Sequence, residues 1–156
     1  MRLTVAAVGR MGPGPERELV ETYRSRAEAA GAAIALAPIT IHEIDERKAR
    51  SRADQAQALR AKCDGRGVTI VLDERGKTLS SRDFAARLAD WRDQGRAEAA
   101  FLIGGADGHD PSLPREADLV LSFGPMVWPH QLARVMLAEQ IWRAVSILTG
   151  SPYHRD

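Results

Sequence analysis

Cysteine is almost absent: Cys63 stands alone among 156 residues, which excludes an intrachain disulfide and a thiolate-held metal cluster. An excess of charge of either sign is missing too. With 22 Lys and Arg against 21 Asp and Glu, the formal net charge is only +1. Such a chain does not grip naked nucleic acid by charge alone, although a local basic surface on a dimer, or a large pre-shaped partner, fits the same balance. No apolar run approaches the roughly 20 residues of a membrane span, and MRLTVAAVGR passes from strand-like residues into a Gly/Pro turn without a signal-peptide pattern. These features point to a cytoplasmic protein.

Several chemical motifs are also missing or incomplete. Gly9, Gly12 and Gly14 depart from the dinucleotide-binding G-x-G-x-x-G spacing and are interrupted by Pro13. Gly76-Lys77-Thr78 looks like the end of a P-loop, but the first glycine of that motif would fall at Val71. There is no G-x-S-x-G elbow and no acidic metal cluster, so a small hydrolase or phosphatase reading lacks its carriers. The four histidines lie far apart without metal-ligand spacing.

What remains is an ordinary globular composition, 44% hydrophobic and 28% charged, in a length suited to one domain over residues 1–156. Apolar runs alternate with helical patterns, the signature of an α/β fold with a mainly parallel sheet flanked by helices. Strands are expected at 2–8, 34–41, 68–72, 99–103 and 119–121. The first helix opens at Pro15 with Glu16 and Glu18 in its first turn, and its buried stripe runs through Leu19 or Val20, Tyr23, Ala27 and Ala30. An Ala-rich helix follows over 53–63, and a Ser-capped one carries Phe84, Leu88 and Trp91 as core residues. The charged stretch His42 to Arg52 reads as a solvated loop and helix start. Its four cations between Arg47 and Arg52 still form the best phosphate-facing patch in the sequence.

Three strands end in turn-rich loops, at Asp73, at Gly104-Gly105-Ala106-Asp107-Gly108 and at Ser122-Phe123-Gly124-Pro125. Ligands in open α/β sheets sit outside the carboxyl ends of strands, so these loops are expected to line one crevice. Glycines so dense after a buried strand indicate close backbone approach to something, or positive φ.

The last helix, from about Pro129 to Gly150, is apolar over an arc far wider than one core requires. Only Glu139, Arg143 and Ser146 form a polar sector. Burial on two sides implies a homodimer. Arg134 falls inside the apolar arc, where a guanidinium requires a partner: either an interface ion pair or a substrate contact.

Taken together, LDERGK at 72–77, FLIGGADGH at 101–109, PHQLARVMLAEQIWRA at 129–144 and PYHR at 152–155 resemble the RlmH family of SPOUT-superfamily methyltransferases, along the whole chain. The stretch SFGPMVW before Pro129 departs from the Ser/Leu/Thr-rich segment more usual there. The resemblance implies an α/β knot with a C-terminal trefoil, a homodimer, and methylation of N3 of a pseudouridine in 23S large-subunit ribosomal RNA on the assembled ribosome. It implies S-adenosylmethionine as donor, held by Leu72, Asp73, Gly104, Gly105 and the loop Phe123, Gly124, Pro125, Met126, Val127, Trp128 and Pro129. His130 and His154 are candidate proton acceptors and Arg134 a third catalytic candidate, while Tyr153 would stack on a base and Arg155 pair with a phosphate. The alternative is a ribosome-binding relative that keeps the fold and has lost the chemistry.

Overall fold

A computed structural model of the chain describes residues 1–155. Its strands are β1 (Arg2–Val8), β2 (Ile39–Ile44), β3 (Val68–Thr78), β4 (Glu98–Ile103) and β5 (Leu119–Ser122). They form one sheet in the order β2-β1-β4-β3-β5, and every pairing is parallel. The helices are α1 (Pro15–Gly31), α2 (Arg52–Arg60), α3 (Ser81–Asp93), α4 (Ser112–Glu116) and α5 (His130–Thr149). The parallel α/β sheet expected from the sequence is therefore present.

Alternation along the strands divides the core. Leu3, Val5 and Ala7 of β1, with Ala99, Phe101 and Ile103 of β4, pack with α1, α3 and α5 residues such as Ala27, Leu88 and Ile141. Ala6, Val8 and Leu102 face the other way and pack with Ala56 and Leu59 of α2 and Leu113 of α4. The triplet Phe84, Leu88 and Trp91 is buried as expected, as is Val20, whereas Leu19 is exposed.

Two strands differ from their expected bounds. β2 begins at Ile39 rather than residue 34, because Ala32–Ile34 continue α1 as a tight 3-10 turn and Ala35 takes a left-handed φ of 56°. It then continues through His42, Glu43 and Ile44, which pair with Ala6, Ala7 and Val8. The charges concealed a strand whose alternation persists: Ile39 joins the core under α5, and Ile44 the opposite one. The solvated loop expected from residue 42 thus starts only after Ile44.

β3 does not stop at Leu72. Leu72 pairs with Leu121 of β5, and after a register shift Lys77 pairs with the same Leu121 and Thr78 with Ser122. A strand residue has one neighbour on each edge, so residues 73–78 pass around β5 to its other side. The passage is tight, since a β-carbon on Gly76 would stand 2.6 Å from the Val120 carbonyl oxygen. Gly76 thus serves a backbone crossing, which explains a P-loop-like triplet without a P-loop. Chain that encloses a strand from which α5 then departs is the crossing a trefoil requires.

Gly76→Ala should lower unfolding stability by about 2 kcal/mol or more, since overpacking against backbone cannot relax through a side chain. An unchanged denaturation midpoint would show that the crossing has room to spare.

Candidate active site

The sheet order places β4, β3 and β5 side by side, so the three loops singled out in the sequence emerge at one end of adjacent strands. Between them lies a cleft of about 760 Å³. Leu72 and Asp73 line it from β3, Gly104 and Gly105 from β4, and Phe123, Gly124, Met126, Val127, Trp128 and Pro129 from the β5–α5 loop, with His130 at the first turn of α5. Pro125 belongs to the same loop without lining the cleft. Met126, Val127 and Trp128 are exposed, so the altered segment presents an apolar rim to solvent.

Ser122 holds the rim to the crossing. Its buried Oγ accepts the Gly124 N–H at 3.0 Å and lies 3.0 Å from both the Glu74 and Gly124 carbonyl oxygens, its one proton serving either. Gly104 and Gly105 belong to a turn closed by the Gly108 N–H donating to the Gly105 carbonyl at 3.0 Å. A β-carbon at Gly105 would lie 3.1 Å from Val8 Cγ1 and 3.2 Å from Glu46 Oε1, so even one methyl there displaces a neighbour.

Asp73 is the best-buried carboxylate of the cleft, with its side chain 9% exposed. Burial opposes its ionisation, but the Arg75 guanidinium and backbone N–H, hydrogen-bonded to it at 3.1 and 2.9 Å, hold the carboxyl below its usual range. Glu74 and Asp107 add negative charge to the lining. The cleft therefore combines apolar walls, strand-end backbone groups and a negative edge.

Arg134 lies beneath this region and is 2% exposed. Its Nη1 donates to Glu43 Oε1 at 2.9 Å, and Nη2 to the Gly9 and Val8 carbonyls at 3.0 and 3.3 Å. Burial lowers its pKa, and the Glu43 carboxylate opposes that shift. The partner required by its burial is thus found within the same chain, where a subunit interface or a substrate contact was expected. Glu43 meets it because β2 extends past residue 41, with the alternation that directs Ile39 also directing Glu43 towards α5.

The tail does not line this cleft. Tyr153 donates to Glu139 Oε1 at 3.0 Å, its ring centroid lies 5.4 Å from that of Trp142, and the Arg143 guanidinium sits 4.9 Å from its ring centre. Burial and the Glu139 carboxylate push the Tyr153 phenol up to about 12. His154 Nδ1 lies 3.3 Å from Arg143 Nη1, and Arg155 is exposed. Within one chain, His130 is therefore at the cleft, while Tyr153 and His154 contact α5 and Arg155 is exposed.

Reading the sequence missed Glu43, since a carboxylate in a charged run gave no distinguishing signal. Ser122 stood in a strand-end loop and His109 in a family motif already singled out, but neither was given a role.

Glu43→Ala strands a 2%-exposed guanidinium and should cost about 3 kcal/mol, whereas Arg134→Met leaves a carboxylate that is 25% exposed and open to water, so it should cost less. Denaturant unfolding of both variants tests this order, and a milder Glu43→Ala would contradict it.

Known proteins resemble this chain along its length. A family model described as "Predicted SPOUT methyltransferase" matches residues 1–154. Proteins named "Ribosomal RNA large subunit methyltransferase H" are 56% identical over 156 residues in Maricaulis maris, covering 100% of both chains, and 52% identical over 155 residues in Ruegeria pomeroyi, covering 99% of both. A namesake from Rhodopseudomonas palustris is 50% identical, again with 99% of each chain covered. Given a match along nearly its whole length, and a strand crossing of the kind a knot requires, this chain belongs to the SPOUT methyltransferase family and has its knotted α/β fold.

Proposed function

We propose that this protein transfers a methyl group from S-adenosylmethionine to N3 of a pseudouridine in 23S large-subunit ribosomal RNA, on the assembled ribosome. The observation that carries the reading is the convergence of three strand-end loops on one cleft with apolar walls and acidic edges. The names of the relatives supply the acceptor class, ribosomal RNA.

The residues fit the donor. Apolar Leu72, Ile103, Leu121 and Trp128 suit an adenosine moiety, and the negative charge of Asp73, Glu74 and Asp107 suits a sulfonium cation. When bound, S-adenosylmethionine supplies an electrophilic methyl. Leu72, Asp73, Gly104, Gly105 and, from the loop, Phe123, Gly124, Met126, Val127, Trp128 and Pro129 would hold and orient it, with Pro125 shaping the loop, and the Phe123–Pro129 rim would exclude water. Methyl transfer requires in-line approach more than covalent help. The acceptor nitrogen carries a proton that must leave, and His130, whose imidazole lines the cleft, is placed to take it. Arg134 acts by positioning: its ion pair and carbonyl contacts fix the first turns of α5 against the ends of β1 and β2.

The enzyme acts as a homodimer in the cytoplasm. Val135, Met136 and Trp142 on the outer side of α5 are only half-buried within one chain, and the tail runs along α5 through Glu139, Trp142 and Arg143. A second copy packed there brings Tyr153, His154 and Arg155 to the partner's cleft. There Tyr153 stacks on a base, His154 offers a second proton acceptor, and Arg155 pairs with a phosphate. With a net charge of only +1, recognition depends on the folded ribosomal surface more than on charge.

The deciding assay offers labelled S-adenosylmethionine and this enzyme to ribosomes from cells lacking it, with mass spectrometry of the product nucleoside. Methyl on N3 of a large-subunit pseudouridine is expected. Saturable donor binding without incorporation would overturn the acceptor, and absence of donor binding would overturn the site. Gly105→Ala should weaken binding of S-adenosylhomocysteine about tenfold, a loss near 1.4 kcal/mol, and undiminished affinity would remove this turn from the site.

A further inference from the structure

His109 is a side chain of the cleft to which the reaction above gives no task. It follows the glycine turn, is 9% exposed, and directs its imidazole between the ends of β3 and β4. Nε2 lies 3.1 Å from the Gly104 nitrogen, whose N–H points at it, and 3.0 Å from the Leu72 carbonyl oxygen. Nδ1 is buried and makes no hydrogen bond. Leu72 pairs with Ile103 immediately before this point, so the ring nitrogen stands between the two strands where their ladder ends.

One nitrogen cannot serve both neighbours. A neutral imidazole carries a single N–H. With the proton on Nε2, His109 donates to the Leu72 carbonyl and the Gly104 N–H has no acceptor. With the proton on Nδ1, Nε2 accepts from Gly104, and the Leu72 carbonyl faces a lone pair instead of a donor. Charging the ring does not resolve the conflict, since Nε2–H would still oppose the Gly104 N–H. Burial also disfavours the cation, lowering the His109 pKa despite the Leu72 carbonyl and the Asp73 carboxylate nearby. In every protonation state Nε2 leaves one of these two backbone groups of the cleft unserved. Both groups belong to residues that line the cleft, so a ligand can supply what is missing.

We propose that His109 is a positioning residue whose tautomer decides whether the Gly104 amide or the Leu72 carbonyl is offered to a bound adenine base, and that the base selects one tautomer. Adenine suits this role because its Watson–Crick edge presents an acceptor nitrogen beside a donor amine, so it can satisfy whichever group the imidazole leaves open. The ring also acts as a wedge. Without it, the Gly104 N–H and the Leu72 carbonyl can bond directly, closing the end of the ladder and withdrawing both groups from the ligand.

The inference rests on the donor-site reading, and nitrogen-15 NMR of the imidazole separates the two. In the free protein the Nδ1 and Nε2 shifts should be intermediate, as for exchanging tautomers. Saturation with S-adenosylhomocysteine should move them towards one limit. By calorimetry, His109→Leu should bind the same probe at least tenfold more weakly, whereas His109→Gln, which keeps a donor or acceptor near the Nε2 position, should recover most of that loss. Binding with unmoved ring shifts, or wild-type affinity in His109→Leu, overturns the inference alone. If His109→Leu fails to fold, the ring shifts of the wild-type protein still decide. No saturable binding by the wild-type protein overturns the donor site and this inference together.

Discussion

Leu121 has partners on both edges of β5, Leu72 before the bend of β3 and Lys77 after it, and this double pairing shapes the whole cleft end of the molecule. A strand enclosed on both sides cannot slide or fray at its carboxyl end, so the loop that follows it leaves from a fixed point. Ser122, bonded to Glu74 and Gly124, transmits that constraint directly into the rim. Binding loops usually gain position at the expense of order. Here the chain crossing supplies order without requiring extra core, and the cost appears as a glycine that can bear no side chain.

The second constraint lies one layer deeper. Arg134 is the one buried arginine among the described residues, and it is matched by a carboxylate and two carbonyls from a different part of the chain. Such a pair adds little net stability compared with apolar residues of the same volume, since desolvation offsets most of the attraction. Its value is in direction. A guanidinium with fixed geometry permits one orientation of α5 over the ends of β1 and β2, and His130 lies one turn away on the same helix.

The outer side of α5 departs in one detail from the pattern read in its sequence. Its apolar arc is wider than the core needs, and within one chain Val135, Met136 and Trp142 remain half-buried. Ser146, assigned to the polar sector, is instead fully buried and donates to the Trp142 carbonyl at 2.9 Å. A hydroxyl that bonds within its own helix needs no solvent, so it can occupy a position where a carboxylate cannot.

By itself the sequence determined the alternation of strand and helix, the triplet Phe84, Leu88 and Trp91 in the core, and the three loops that meet at one cleft. Periodicity and turn chemistry are local, and adjacent strands of a parallel sheet bring their carboxyl ends together. Four ordered motifs were enough for the family, because they sample the loops and the last helix that define it. Tertiary structure alone decided that β2 runs through a charged stretch, that Gly76 marks a crossing rather than a phosphate loop, that Arg134 finds Glu43, and that His109 stands between two strand ends. Each of these joins residues distant in sequence or depends on strand pairing, and a residue's partner across the sheet leaves no periodic trace in its own segment.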